Sequence, residues 1–394
     1  MNRKVSVGVT ISIAAIVCAL TFIITSFVSL EGFNEKVQAV KEKAEKYERL
    51  EALDTYIREN YYTTELNEDG LMDGILKGYV SGLDDPYSRY MTAEEYSALM
   101  TKEAGQQIGI GVTVQRSDEG WLHIITVEEG SPAETAGLQS DDLIIAVNGE
   151  QIAELEYEEA VSRVRGEEGT KVTLTIRRDG KDKNIQVERR SFDVRTVFSQ
   201  MLDGQIGYIR ISNFRENTAG QFQEALDALV EDGARSLLFD VRDNGGGLLS
   251  ALEKMLDPLL PEGVIATATY QGGRTETVVY SDAEELNLPI AVLVNGNSAS
   301  AAELFSASLH DFKDAQLVGT QTYGKGVMQV TRQMEDGGGL SLTVATYQTA
   351  RSECYDGVGL TPDVEVESSE ETDITAADPD TDPQLAAAVQ LLLG

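Results

Sequence analysis

The stretch Pro289–Glu303, with the sequence PIAVLVNGNSASAAE, decides the fold of the domain around it. Its apolar run ends at Val294, small and polar residues follow, and Ser300 precedes a predicted helix. A short, continuous apolar run before a turn is typical of a strand buried on both faces of a sheet. We therefore predict a strand-turn-helix unit that presents a serine just beyond the end of a buried strand.

Strands also alternate with helices on the N-terminal side of this unit. Strands are predicted at Gln205–Ile211 and Ser236–Arg242, and helices at Thr218–Leu229 and Leu248–Leu256. Strands that alternate with helices are typical of α/β domains. We therefore predict an α/β core with a largely parallel sheet over residues 191–368. An acidic linker and a short final helix are predicted for residues 369–394.

A lysine between two glycines is the second informative motif. Lys325 comes 25 positions after Ser300 (325 − 300 = 25). A serine hydroxyl needs a base before it can attack a carbonyl, and a lysine can be that base only if burial keeps it neutral. The chain has 2 histidines. His123 lies in a predicted strand, and His310 lies roughly 15 Å beyond Ser300 along the same predicted helix. The motifs thus indicate a hydrolase without a catalytic histidine.

Composition limits the classes of partner. The chain has 394 residues, enough for two or three domains, and 42% of them are hydrophobic, so a sizeable core can form. The net charge of −34 argues against nucleic acid as a partner, because a polyanion would be repelled. The 2 cysteines, Cys18 and Cys354, do not make a disulfide framework.

The N-terminus carries a candidate membrane anchor. No charged residue occurs from Val5 to Leu30, and this length can span a bilayer. Arg3 and Lys4 precede the segment, which places residues 1–4 in the cytoplasm by the positive-inside rule. We predict a single-pass protein of the cell membrane with its remaining domains outside the cytoplasm. A cleaved signal peptide is the alternative.

Residues 31–104 are predicted to form a helical region. An apolar seam with alternating spacings of four and three residues runs through its first helix. Its members are Phe33, Val37, Val40, Ala44 and Tyr47. The seam could pair with a second copy of the chain in a homodimer, or it could pack on its own domain; the sequence favours neither.

Residues 105–190 resemble a bacterial PDZ domain, on the strength of the segments Gly130–Leu138 and Leu143–Gly149. The resemblance implies that a free C-terminus binds as an added strand, with its carboxylate held by backbone N–H groups of a glycine loop. The peptide would lie along Val112 and Val114 and face a helix that carries Val161 and Val164. The carboxylate-binding loop would consist of Ile108, Gly109, Ile110 and Gly111.

With this domain order, the motifs at Ser300, at Lys325 and in the turn 240–247 resemble those of the carboxyl-terminal processing peptidases. The resemblance implies a serine endopeptidase without cofactor or metal, in which Ser300 is the nucleophile and Lys325 the base. It further implies that Gln329 orients the lysine, and that the N–H groups of Gly246 and Ala301 form the oxyanion hole. Expected substrates are proteins or peptides with free apolar C-termini.

Three alternatives are kept. The chain could be a non-catalytic PDZ scaffold that binds protein C-termini. Ser298 is a rival nucleophile, two residues before Ser300. Finally, Gly319–Lys325 has the spacing of a phosphate-binding P-loop, although Gly326 stands where that motif needs a hydroxyl for Mg²⁺.

Overall fold

The structure, a computed structural model, describes residues 47–282, 285–369 and 372–394, together with residues 8, 16–17, 20–22, 25–27, 30 and 37. The chain divides into two compact units, residues 1–72 and residues 73–394. Most of the predicted membrane segment, residues 5–30, lies outside the described residues. Within the described residues, no helix combines the length and the apolarity needed to cross a bilayer.

Helices dominate the described part of the first unit. Residues 47–60 form helix α1, and helix α2, which spans Glu68–Ser81, begins in this unit. The Arg58 guanidinium donates to Asp54 (2.7 Å) and to Glu68 (2.6 Å), at an exposed position where such ion pairs contribute little stability. Most of the predicted apolar seam falls outside the described residues, so the homodimer stays a prediction.

The second unit begins with elements that later border the candidate site. Strand β1 covers Arg89–Met91, and helix α3 covers Ala93–Glu103. Helix α3 begins with a capping box, because the Thr92 side chain accepts from the Glu95 amide while the Glu95 carboxylate accepts from the Thr92 amide. The box satisfies two N–H groups that would otherwise lack partners at the helix start.

Residues 112–188 form a separate antiparallel sheet with its own core. The sheet order is β3-β4-β5-β7-β8, and β6 pairs with β5. Two helices, α4 (Pro132–Ala136) and α5 (Tyr157–Val164), pack on it. Its strands are β3 (Val112–Arg116), β4 (Leu122–Val127), β5 (Leu143–Val147), β6 (Glu150–Gln151), β7 (Lys171–Arg178) and β8 (Lys181–Glu188).

A two-stranded stem connects this small domain to the core. Strand β2 (Gln106–Gly109) pairs antiparallel with β9 (Arg190–Asp193). The Asn217 side-chain amide donates to the Gly105 carbonyl (3.0 Å) and to the Val194 carbonyl (3.1 Å). Both chain segments are therefore tied, at the core end of the stem, to the start of one core helix.

The core contains a six-stranded sheet in the order β10-β11-β12-β15-β16-β19. The β10–β11 pairing is antiparallel and the other four pairings are parallel. Helices α6 (Thr218–Glu231), α7 (Leu249–Leu256) and α8 (Ala301–Lys313) contribute to one apolar cluster, and α9 (Pro383–Leu393) to another. The strands are β10 (Val197–Leu202), β11 (Ile206–Ile211), β12 (Ser236–Asp240), β15 (Ile290–Val294), β16 (Gln316–Gly319) and β19 (Val364–Glu365).

A second core sheet contains five strands, and all of its pairings are antiparallel. The prediction of a largely parallel core is therefore wrong for the core as a whole. Here β13 with β14, and β17 with β18, form hairpins joined by short turns, which the strand-helix alternation of the core did not predict. The strands are β1, β13 (Gly263–Tyr270), β14 (Thr275–Ser281), β17 (Val327–Gln333) and β18 (Gly339–Thr349); single 3₁₀ turns occur at Asp257–Leu259 and Gln271–Gly273.

Candidate active site

Ser300 lies at a sharp turn between the buried strand β15 and helix α8. Its φ of 58° and ψ of −117° define a conformation that glycine ordinarily adopts. All five residues of β15 are buried, and α8 is buried through most of its length, so both sides of the turn are fixed. A strained serine on a strand-to-helix turn is typical of an exposed nucleophile.

One buried carboxylate joins the two sequence motifs. Glu303 is fully buried; one of its oxygens accepts from the Ser300 amide (2.9 Å) and from the Lys325 amide (2.8 Å). The other oxygen accepts from Thr322 Oγ1 (2.5 Å) and the Gly324 amide (2.7 Å). Glu303 was not predicted as a site residue, although the Ser-x-x-Glu spacing is that of a capping box.

Lys325 occupies a partly desolvated position. Burial lowers the pKa of its amine, and the nearby Arg89 charge lowers it further, while Asp85 and Glu303 act in the opposite direction. Its Nζ lies 4.5 Å from the centre of the Tyr87 ring. Within the described residues, this amine forms no ion pair. A lysine in such surroundings can be neutral more readily than a solvated one, as a general base requires.

The predicted catalytic residues line one cavity of about 570 Å³, which contains Ser300, Lys325, Gln329, Gly246 and Ala301. Ser300 and Lys325 are not positioned as a reacting pair in this structure. Among the described residues, no hydrogen bond joins Ser300 Oγ to Lys325 Nζ.

Tyr347 stands between the two motifs. Its hydroxyl donates to the Lys325 carbonyl (3.0 Å) and lies 3.4 Å from Ser300 Oγ. Burial raises the pKa of this phenol to about 12, so it is neutral at physiological pH. Tyr347 was not predicted, because nothing in the local sequence of β18 distinguishes it from a core tyrosine.

Gln329 lies in the cavity, but its side chain has another partner. Its amide nitrogen donates to Thr343 Oγ1 at 3.0 Å on the neighbouring strand β18. In the described part of the chain it forms no hydrogen bond to Lys325. The antiparallel pairing of β17 with β18 places Thr343 opposite Gln329, which explains the preference.

The glycine turn after β12 approaches Ser300 closely. Gly246 has a φ of +95°, and a Cβ there would lie 2.7 Å from the Ala299 carbonyl oxygen and 2.8 Å from the Ala301 nitrogen. Only glycine therefore fits. Its amide donates to Asn244 Oδ1 (2.9 Å), so an incoming substrate oxygen must displace Asn244 before this predicted oxyanion donor is available.

The structure disfavours two of the alternatives. Ser298 is fully buried and its hydroxyl donates to the Val241 carbonyl (2.8 Å), which is a structural role. Lys325 is followed by strand β17, whereas a P-loop lysine begins a helix.

His310 does not line the cavity of Ser300. Its ring lies 3.4 Å from Asp311 and 3.5 Å from Asp363, and neither of these acidic residues lines that cavity.

The small domain presents an open sheet edge next to α5. Among the residues that the structure describes, strand β3 has a sheet neighbour on one side only. Val112 and Val114 are half-buried, and Val161 and Val164 are buried beside them. The Tyr157 hydroxyl donates to the Val114 carbonyl at 2.9 Å, so a peptide that adds to this edge would compete with Tyr157.

The predicted carboxylate-binding loop is divided between two elements. Ile108 and Gly109 belong to β2, and Ile108 pairs with Ser191 in the stem, so the carboxylate-binding role of these residues stays a prediction. Ile110 is buried and its carbonyl accepts from the Ala133 amide at 2.7 Å. Gly111, with a φ of +80°, completes the turn into β3.

Comparisons with known families agree with this architecture. The profile of "Peptidase family S41" matches residues 205–366. A PDZ domain profile matches residues 123–178. The profile described as "Activating protease CtpB N-terminal domain" matches residues 14–95.

Relatives cover almost the whole chain. The "Carboxy-terminal processing protease CtpA" of Bacillus subtilis is 35% identical over 370 residues, which are 93% of this chain and 78% of the relative. The "Probable CtpA-like serine protease" of Staphylococcus aureus is 32% identical over 362 residues, 91% of this chain and 71% of the relative.

Solved structures show the same fold. The photosystem II D1 C-terminal processing protease aligns with a TM-score of 0.50 and 25% identity, over 86% of this chain and 91% of that one. An S41 protease of Bacteroides fragilis aligns with a TM-score of 0.53 and 20% identity, over 80% of this chain and 90% of that one, which concerns the fold alone.

Fold and relatives together define a serine-type protease that carries a PDZ domain. The chain belongs to peptidase family S41, among the carboxy-terminal processing proteases. The family predicted from the sequence motifs is confirmed, and proteins are the substrates that this class implies.

Proposed function

We propose that the protein is a membrane-anchored endopeptidase that acts outside the cytoplasm with a Ser300–Lys325 dyad. The observation that carries the proposal is the shared cavity. It is lined by a strained serine and by a half-buried lysine that forms no ion pair with any residue that the structure describes. Both backbones are fixed by the same carboxylate, Glu303.

In the proposed reaction, Ser300 Oγ attacks the substrate carbonyl carbon while neutral Lys325 accepts the hydroxyl proton. The oxyanion accepts hydrogen bonds from Ala301 and Gly246, each worth about 3 kcal/mol in the transition state. Protonated Lys325 then donates to the leaving amine. Water hydrolyses the acyl-enzyme, with Lys325 as its base. The dyad requires Lys325 Nζ to approach Ser300 Oγ through a change of side-chain torsions.

The PDZ domain is proposed to capture the apolar C-terminal tail of the substrate. The support is the open edge of β3 beside the apolar residues of α5. Strand addition would supply main-chain hydrogen bonds, and the groove would select apolar side chains. Residues 5–30 are proposed to anchor the protein, on the evidence of their uncharged sequence.

The decisive experiment compares the purified full chain with its Ser300→Ala and Ser298→Ala variants. The substrate is an unstructured protein with a free apolar C-terminus, and mass spectrometry follows its cleavage. We expect wild type and Ser298→Ala to cleave, and Ser300→Ala to lose cleavage by several orders of magnitude. Equal cleavage by wild type and Ser300→Ala would refute the assignment of the nucleophile.

Membrane anchoring has a separate test. Membranes from cells that produce the full chain are extracted with alkaline carbonate, and intact cells are exposed to an external protease. We expect the chain to stay in the membrane pellet and its folded domains to be accessible from outside. Release of the intact chain by carbonate would contradict an anchor.

A further inference from the structure

The cavity beside Ser300 carries an excess of positive charge on a strongly acidic protein. Its charged lining residues are Arg89, Lys102, Glu103, Arg215 and Lys325. Four of these five side chains are basic, whereas the whole chain has a net charge of −34. Such a local reversal of sign raises the local concentration of anions.

The two arginines of the cavity lack acidic partners. Within the described residues, neither Arg89 nor Arg215 forms an ion pair. Arg215 Nε is buried and has no hydrogen-bond acceptor in the described part of the chain. Arg215 as a whole is half-buried and Arg89 is exposed. A buried guanidinium nitrogen without an acceptor is costly, and the planar donors of the group match a carboxylate in a bidentate arrangement. The side chain is therefore ready to receive an acceptor from outside the protein.

Arg215 is held close to the reacting atoms. Its own amide donates to Thr218 Oγ1 (2.9 Å). The preceding residue, Phe214, donates its amide to the Gly246 carbonyl (3.1 Å), in the turn that approaches Ser300. A group bound by Arg215 would lie beside the scissile bond, at a position fixed by the backbone.

The acidic residue of the cavity does not neutralise these charges. Glu103 forms no ion pair within the described residues. Burial raises the pKa of its carboxyl group, which weakens its anionic form, while the Arg89 charge acts in the opposite direction. Glu103 thus leaves the Arg215 guanidinium available to a ligand.

We propose that Arg215, assisted by Arg89, forms a carboxylate-binding subsite in the catalytic cleft. The ligand is a carboxylate of the substrate close to the scissile bond, either an acidic side chain or the terminal carboxylate of a short tail. The inference rests on the proposed function and adds a specificity for that same site, distinct from capture of the tail by the PDZ domain.

The test uses the full chain and peptides that share one cleaved sequence. In the first set, Glu or Gln is placed at each of the three positions on either side of the cleaved bond. In the second set, tails of two to six residues beyond that bond end in a free carboxylate or an amide. The enzymes are wild type, Arg215→Met, Arg215→Lys and, as a matched control, Arg274→Met, whose arginine is exposed on the β13–β14 hairpin.

We expect wild type and Arg274→Met to prefer the carboxylate peptide at one position by about tenfold in kcat/KM, as for a charge-assisted hydrogen bond. Arg215→Met should lower this ratio to near one while it still cleaves the Gln and amide peptides. Arg215→Lys should restore part of the preference. A preference within the first set shows that Arg215 binds an acidic side chain of the substrate. A preference within the second set shows that it binds the terminal carboxylate.

A wild type that cleaves all peptides without any carboxylate preference would overturn the inference and leave the proposed function intact. An unchanged preference in Arg215→Met would overturn it as well. If Arg215→Met loses all cleavage, the affinity for the preferred carboxylate peptide is measured instead, with Ser300→Ala and with Ser300→Ala/Arg215→Met. Equal affinities of these two chains would also refute the subsite. Failure of wild type itself to cleave any peptide would instead count against the proposed function.

Discussion

Lys325 is the residue on which the proposed chemistry depends most. Its folded-state pKa is lowered from the ordinary value of 10.5, mainly by burial. Only the neutral amine can accept the Ser300 proton, so kcat/KM should rise with pH through this lowered pKa. We expect a rising limb at a pH below that of a free lysine, measured on a neutral substrate. Lys325→Arg and Lys325→Met should lose the activity, and a rising limb that persisted in either would contradict the assignment.

The same shift predicts how stability depends on pH. Between the folded and unfolded pKa values of Lys325, the unfolded chain binds more protons than the folded chain. The stability of wild type relative to Lys325→Met should therefore increase with pH through this window. Parallel urea denaturation of both chains at several alkaline pH values measures the difference, and a difference that falls with pH would contradict burial of the charged amine.

Glu303 carries a second prediction at the residue scale. Its two oxygens accept four hydrogen bonds, among them those from Ser300 and Lys325. In Glu303→Gln, the NH₂ group must face at least one backbone N–H donor, even if the Thr322 hydroxyl turns to accept from it, and this costs roughly 2 kcal/mol. We expect that loss in urea denaturation and a fall of about 100-fold in kcat, because the motifs shift relative to each other.

The control for this variant is Glu224→Gln, at an exposed position of α6. It should match wild type in both measurements. Stability and kcat that are unchanged in Glu303→Gln would show that the carboxylate does not hold the two motifs.

The sequence predicts site residues that stand in a distinctive local pattern better than those that reach the site only through tertiary contacts. Ser300 and Lys325 stand in distinctive local surroundings and were predicted to share a site. Tyr347 and Arg215 reach the cavity from other segments, and each would be unremarkable in its own strand or turn. The contact of Tyr347 with Ser300 joins positions 47 residues apart, which no local pattern encodes.

At the scale of elements, the C-terminal helix α9 is linked to the catalytic turn by a buried charge network. Arg242, fully buried at the end of β12, pairs with Asp240 (2.6 Å) and with Asp382 (2.7 Å). Asp382 also caps α9 by accepting from the Gln384 and Leu385 amides. Because the turn that holds Gly246 follows Arg242 directly, the network fixes both α9 and the turn.

Removal of Asp382 tests this link. Asp382→Ala leaves Arg242 with one carboxylate and α9 without its cap, and we expect a loss of about 3 kcal/mol or more. Asp382→Asn keeps the cap and should lose less. Denaturation and cleavage assays would be compared with Asp380→Ala, an exposed control. If Asp382→Ala matched that control, α9 would not support the core.

The two core sheets show why the order of strands and helices along the chain did not predict the whole core. The parallel strands β12 and β15 are buried throughout, and their continuous apolar sequences identified them. Strands β13, β14, β17 and β18 were not recognised as one antiparallel sheet. Their pairing includes β1, which is far away in the sequence, and a register between such distant segments is set by packing.

At the scale of the whole molecule, the stem gives a physical connection from the PDZ domain to the catalytic turn. Asn217 binds both segments at the core end of the stem, through the carbonyls of Gly105 and Val194. Three residues before it, Phe214 binds the Gly246 carbonyl. A change at the stem when a tail binds could therefore alter the turn, including the Gly246 amide that Asn244 now occupies.

The stem also allows the PDZ domain to be excised cleanly. Gly109 lies opposite Arg190, so residues 110–189 can be replaced by an Asn-Gly turn in the otherwise full chain. If tail binding at the PDZ domain controls the catalytic turn, wild type should cleave a substrate with a free apolar tail faster than the same substrate with an amidated, charged tail. The excised chain should cleave both at one rate, with Ser300→Ala in each background as the blank. If the excised chain kept the full tail preference, the tail would be recognised in the cleft. The stem would then not transmit tail binding to the catalytic turn.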